Sequence, residues 1–122
     1  LNGTENTATI FGVSFKPNVR DKRNSKIIQV VELLKSYKVE LQICDPLQDP
    51  DESILGLPLT KFSRLKKSKV LIISAGHDQI TEKSFSEIQQ CLLSSSTIID
   101  IGAVLSKYSS EFKAHGHEYI VL

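Results

Sequence analysis

Apolar positions in this chain fall into two kinds of run that alternate from one end to the other. Residues 8–15, ATIFGVSF, are rich in β-branched and aromatic side chains over about one strand length. Residues 25–34, SKIIQVVELL, then place apolar side chains at 27, 28, 30, 31, 33 and 34. That face is too wide for a surface helix and suits one packed on a sheet, running to about Tyr37, with the Ser25 hydroxyl able to cap its first turn. No glycine closes this helix, so Tyr37 and Lys38 must turn the chain themselves. Residues 39–44 alternate as a strand and stop at Asp45-Pro46, because proline cannot continue a ladder. Residues 47–56 read as an acidic loop with a short helical turn around Glu52, residues 57–59 as a very short edge strand, and residues 60–67 as a short basic helix. Residues 69–75, KVLIISA, are almost wholly apolar, as a parallel strand covered on both faces should be. A helix over 83–93 follows, with Phe85, Ile88, Cys91 and Leu92 on one face, then a strand over 97–101, a helix over 106–114 and a closing strand over 119–122.

Strands and helices alternating at this spacing predict an α/β fold, a three-layer Rossmann-like domain on a mostly parallel five- or six-stranded sheet. Residues 1–7 read as a linker or expression remnant and 8–122 as the domain; 122 residues suffice for one core. Fifteen basic against fourteen acidic residues leave a net charge of +1, so nothing argues for a nucleic-acid or membrane partner. No apolar run approaches the ~20 residues that span a bilayer, and LNGTENT has no signal-peptide pattern. Cys44 and Cys91 form neither a disulfide framework nor a metal motif, which fits a reducing cytoplasm. The chain has no methionine, and we expect a piece of something longer.

The stretch 15–25, FKPNVRDKRNS, sets Lys16, Arg20, Lys22 and Arg23 against one acid, Asp21. It lies where ligands bind in open α/β sheets, outside a strand's carboxyl end and beside a helix amino terminus. A phosphate site and a solvated turn both fit. Elsewhere the candidates have plainer readings. Cys91 and Cys44 read as core thiols. His77-Asp78 follows a central strand and is either a ligand-touching loop or an ordinary turn. His115 and His117 flank Gly116 and look solvent-facing, with no third ligand near for a metal. Asp100 either holds a helix amino terminus or faces a cleft. Gly12 stands alone, so the G-x-G-x-x-G that cradles a dinucleotide pyrophosphate is missing.

The same basic stretch carries a resemblance. FGVSFKPNVRDKRNSK, then a helix and a strand ending in CDP, resembles the carboxyl-terminal domain of UDP-glucose/GDP-mannose dehydrogenases. The pattern there is roughly G-x-x-F-K-x-x-T-x-D-x-R-x-S with a later Y-D-P, and Gly12, Phe15, Lys16, Asp21, Arg23, Ser25, Asp45 and Pro46 match it. The likeness continues through LKKSKVLIISAGHDQI and IIDIGAVL, and so covers nearly the whole chain in order.

The resemblance implies a share in the two-step, NAD-linked oxidation of a nucleotide sugar's C6 alcohol to a uronic acid. In that family an amino-terminal Rossmann domain holds most of the NAD and a central helical region carries the catalytic cysteine, so no catalytic residue and no metal ligand is expected in this chain. The third domain closes the cleft and lends its Phe-Lys element to the UDP-sugar site, here Phe15 and Lys16. The D-x-R arginine, here Arg23, reaches the cofactor. The expected partners are a nucleotide sugar, the rest of the dehydrogenase and, in the full-length enzyme, further copies in a homo-oligomer. Val19 stands where the family often has threonine, and Asp100 is followed by Ile101, Gly102 and Ala103 rather than by D-G-R. Members acting on N-acetylated UDP-sugars tend to carry D-x-R-N-[ST] without D-G-R, as Arg23-Asn24-Ser25 does here. The alternative is a free-standing, non-catalytic nucleotide-binding or assembly module that kept the fold.

Overall fold

The structure, a computed structural model, describes residues 6–13, 26–37, 39–49, 53–54 and 56–122. Five strands make the main sheet: β1 (Thr7–Phe11), β2 (Glu40–Cys44), β5 (Ser68–Ile73), β6 (Leu92–Asp100) and β7 (Glu118–Val121). They lie in the order β2-β1-β5-β6-β7, and every neighbouring pair is parallel. The expected parallel α/β sheet is therefore present. Two-residue strands β3 (Ser53–Ile54) and β4 (Leu57–Pro58) pair antiparallel in a separate ribbon. Leu59 just beyond it bridges Ile43 of β2 in parallel, so the segment predicted as a short edge strand does sit at the sheet's edge.

Alternation along the strands sorts their side chains into two cores. Ile10, Ile43 and Ile72 point to one face, where Ile27 and Val31 of α1 (Lys26–Ser36) cover them. Phe11, Cys44, Leu71, Ile73 and Ile98 point to the other. There they meet α2 (Asp78–Thr81), α3 (Phe85–Gln89) and α4 (Ser109–Ala114) through Ile80, Ile88 and Phe112. Phe112 stacks on Tyr119 at 5.4 Å between ring centroids and meets Phe85 at the same distance. Among the described residues, helices thus cover both faces, one long helix on the first and three short ones on the second.

Several predicted boundaries move. The first strand stops at Phe11 rather than 15, because Gly12 turns away with φ +85°. The basic helix over 60–67 shrinks to one 3-10 turn, Phe62–Arg64, since only three residues take the conformation before Leu65 returns to extended backbone. The helix over 83–93 is Phe85–Gln89, with α2 as a separate turn ahead of it. Ser84 starts it through a capping box: its hydroxyl accepts from the Glu87 amide and its own amide donates to the Glu87 carboxylate. The strand over 97–101 begins at Leu92 instead, with irregular register against β5 between Leu92 and Thr97. The last helix divides into a 3-10 turn, Ser106–Tyr108, and α4.

Candidate functional site

The chain winds from β1 outward to β2 and then reverses across β1 to β5, so the switch in strand order falls between β1 and β5. At such a point the loops leaving two adjacent carboxyl ends diverge and open a crevice. The two ends are tied together first: the Ser74 amide donates to the Phe11 carbonyl and the Gly12 amide to the Cys44 carbonyl, both at 2.9 Å. Gly12 is required there. A Cβ on it would stand 2.7 Å from the Ala75 Cβ and 2.8 Å from the Ala75 amide nitrogen, and its φ is one that L-residues rarely adopt. Fully buried Val13 follows, and the chain then enters the basic stretch. Phe15, Lys16 and Arg23 lie outside the described residues, as do Arg20, Lys22 and the expected cap Ser25. What the structure brings together is the ground on which that stretch is mounted.

Its centre is Asp45, just past β2. Its side chain is wholly buried. Oδ2 accepts the Val13 amide at 2.8 Å and Oδ1 the Leu47 amide at 3.0 Å, the second being the side-chain turn that an Asp-Pro step favours. His77 Nε2 stands 3.3 Å from Oδ1 and 3.4 Å from Oδ2. The His77 ring is wholly buried, tilted against Phe11 at 6.3 Å between centroids. His77 and Asp78 therefore part company: the imidazole turns inward, while exposed Asp78 opens α2.

The arrangement bears on NAD, which the resemblance implies. In a dinucleotide-binding sheet an acidic residue beyond the second strand commonly reaches a ribose hydroxyl. Here Asp45 faces inward and is engaged by two amides and an imidazole. With no glycine-rich turn either, the described residues do not fit a self-contained NAD site. Among them, no buried side-chain nitrogen or oxygen lacks a partner, and no three His, Cys, Asp or Glu side chains gather closely enough to hold a metal ion.

Asp100 ends β6 and is completely buried. Its oxygens accept the amides of Val104 at 2.7 Å and Leu105 at 2.6 Å, plus the Tyr119 hydroxyl at 2.6 Å. Of its two expected readings, it holds the lead-in to the helical turn at Ser106. Burial, then the hydrogen bond to Asp100, push the Tyr119 phenol well above its usual range. The turn so held passes through Gly102 at φ +90° and Ala103 at φ +57° and leaves Ile101 exposed.

Both cysteines are buried, in agreement with their reading as core thiols. Burial, helped by the neighbouring Asp45 charge, pushes the Cys44 thiol up to about 12, which removes it as a nucleophile near neutral pH. A cleft of about 250 Å³ with mainly apolar walls, including Pro46, Leu59 and Thr60, opens beside it. His115 is exposed as expected, but His117 is not. Its Nδ1 accepts from the Ser96 amide at 3.1 Å and its Nε2 lies 2.8 Å from Gln89 Oε1. Ser96 is 21 residues away in the chain, so no local pattern announces this burial. Among the described residues, no helix is long and apolar enough to cross a membrane.

Comparison with known proteins places this geometry. Residues 9–107 match the model of the UDP-glucose/GDP-mannose dehydrogenase family, UDP binding domain. A UDP-N-acetyl-D-glucosamine 6-dehydrogenase of Salmonella typhi is 28% identical over 115 residues, which are 93% of this chain and 27% of that protein. Protein CapL of Staphylococcus aureus is 32% identical over 78 residues, 62% of this chain and 18% of that protein. The native structure of the UDP-N-acetyl-mannosamine dehydrogenase of Staphylococcus aureus superposes with a TM-score of 0.63 at 22% identity, over 99% of this chain and 26% of that one. An NDP-N-acetyl-D-galactosaminuronic acid dehydrogenase of Methanosarcina mazei gives 0.67 at 16% identity, over 94% and 24%. These two likenesses show the fold. The chain spans about a quarter of the length of the relative from Salmonella typhi and of both solved structures, and less of CapL. On the family match across most of its length, this chain belongs to the UDP-glucose/GDP-mannose dehydrogenase family, as its carboxyl-terminal, UDP-binding domain.

Proposed function

We propose that this chain serves as the nucleotide-sugar-binding domain of an NAD-dependent nucleotide-sugar 6-dehydrogenase, which oxidises the C6 alcohol of a UDP-sugar to a UDP-uronic acid. In this reading it supplies substrate and cofactor contacts and no catalytic nucleophile. The observation that carries the reading is the family match over 9–107, which takes in the F-K-x4-D-x-R-x-S stretch that follows β1 in the sequence. The substrate is an N-acetylated UDP-hexosamine. Arg23-Asn24-Ser25 and the lack of D-G-R after β6 favour it, as do the names of the Salmonella and Staphylococcus relatives. The enzyme works in the cytoplasm as a homo-oligomer and feeds the synthesis of surface polysaccharide.

Within the domain the roles divide. Phe15 and Lys16 meet the nucleotide sugar, the lysine as a compact, mobile charge against the diphosphate. Arg23, seven positions on, offers a planar fork to the phosphate oxygens or ribose of NAD, which other parts of the enzyme chiefly hold. Arg20 and Lys22 take no part in this division. Steady-state kinetics on alanine variants of a full-length enzyme bearing this domain test the division. Lys16→Ala should raise KM mainly for the nucleotide sugar and Arg23→Ala mainly for NAD, each by about ten- to a hundred-fold, the worth of one charge-assisted contact. Equal losses from Arg20→Ala or Lys22→Ala would reduce the stretch to a diffuse cationic patch. The isolated 122-residue chain should produce no NADH with any nucleotide sugar.

A further inference from the structure

We infer that Asp45 is a positioning residue for the nucleotide site, with His77 as the partner that holds it in place; the inference rests on the reading of Phe15 and Lys16 given above. Asp45 ties together segments far apart in the chain. Asp100 accepts amides four and five residues further along its own turn. Asp45 reaches 32 residues back to Val13 and 32 residues forward to His77. One carboxylate thereby joins the carboxyl ends of β1, β2 and β5, the strands on either side of the switch point. Val13 is the last described residue before the basic stretch, three positions ahead of Lys16.

Stability alone is a poor reason for this arrangement. Burying a carboxylate and an imidazole together removes both from water, and a well-packed apolar pair of similar volume commonly serves stability as well or better. What an apolar pair cannot do is fix a main-chain amide in direction. Oδ2 at 2.8 Å from the Val13 nitrogen does so at the point where the chain leaves the sheet. His77 keeps the carboxylate from rotating away, since its Nε2 sits nearly equidistant from both oxygens. Placement errors of about 1 Å are enough to weaken a contact that depends on direction.

The test uses the full-length dehydrogenase bearing this domain, with UDP as the probe in titration calorimetry and thermal melts alongside. In Asp45→Asn one side-chain oxygen becomes an NH2 that must face an amide donor, and His77→Leu keeps bulk while removing the ring donor. Both should weaken UDP binding by about tenfold at a temperature where the variants are fully folded. His77→Gln, whose side-chain amide can donate near the place of Nε2, should stay within about twofold of the parent, a rescue expected only if the donated hydrogen bond matters. Unchanged UDP affinity in Asp45→Asn and His77→Leu, with lowered melting temperatures, would overturn the inference and leave the pair a plain core contact. If Asp45→Asn does not fold, the difference between His77→Leu and His77→Gln decides alone. Lys16→Ala, run in parallel, separates the two claims. If it weakens UDP binding while Asp45→Asn does not, the positioning role alone falls. If Lys16→Ala changes nothing, the site reading fails and the inference with it.

Discussion

The two ends of the parallel sheet are fastened by different chemistry. At the carboxyl end, buried carboxylates grip main-chain amides: Asp45 takes Val13 and Leu47, and Asp100 takes Val104 and Leu105. At the amino end the work falls mostly to neutral side chains, which bond to one another and to the main chain. Thr9 donates to Ser68, and Gln42 donates to Thr9 and exchanges hydrogen bonds with the Lys66 main chain. His117 bridges Ser96 and Gln89. A carboxylate aimed at amides fixes the course of a loop, because charge-assisted bonds are the stronger and more directional kind. The neutral hydroxyl, amide and imidazole bonds at the other end lack that charge assistance. The carboxyl end, where the nucleotide site is proposed, is held by charge-assisted bonds to its loops, and the amino end mostly by neutral ones.

That contrast can be broken first at its strongest point. Asp100→Ala removes the acceptor of two main-chain amides, that of Leu105 fully buried, and of a phenol, so it should destabilise the domain by about 3–5 kcal/mol, read as a fall in the urea midpoint. A loss under about 1 kcal/mol would mean that the turn 101–105 is held by other means. Next comes the tie between β1 and β5. Gly12→Ala forces a Cβ into the Ala75 main chain at a left-handed φ, with an expected cost of about 2–4 kcal/mol. Any backbone shift that relieves it must also disturb the neighbouring Val13 amide held by Asp45, so stability and UDP affinity should fall together.

The smallest effect belongs to the amino end and depends on pH. Burial, and the nearby His115 and Lys69 charges, hold the His117 imidazole below its usual pKa. Its Nδ1 accepts the Ser96 amide, so a proton there would confront an N–H. The unfolded chain takes up that proton more readily than the folded one. This contribution is therefore fully present above about pH 6.5, the unfolded value, and is lost as pH falls through the lowered folded value. His117→Asn should cost about 1 kcal/mol near neutral pH and flatten the decline in stability between neutral and mildly acidic solution. A decline as steep as the parent's would place the acid sensitivity elsewhere.

Much of the fold was readable because its signals are local. The unbroken apolar run of β5 announced a strand covered on both faces, and the alternation of strand and helix runs announced parallel pairing. The structure departs from the sequence pattern where the deciding partner is distant in the chain or a cap divides an apolar run. The serines at 94–96 look like a loop, yet β6 runs through them: β5 pairs on either side, at Leu92 and Thr97, and the Lys69 and His117 side chains bond Ser94 and Ser96 from far along the chain. Ser84-x-x-Glu87 spells a helix start, and that capping pattern could have divided the predicted 83–93 helix in advance. At the candidate site, the sequence marks Asp45 as part of a CDP match and His77 as part of either a ligand-touching loop or an ordinary turn. Their pairing joins positions 32 apart, and no periodicity reports it.

The central claim is that nucleotide binding is organised around the switch-point end of this domain. Amide hydrogen exchange of the full-length enzyme, with and without saturating UDP, tests it most directly. The account predicts slowed exchange concentrated between Val13 and Lys26, with amides around Ser94–Ser96 at the opposite end unchanged. Protection at the amino end of the sheet, or none anywhere in the domain while UDP is bound, would contradict it.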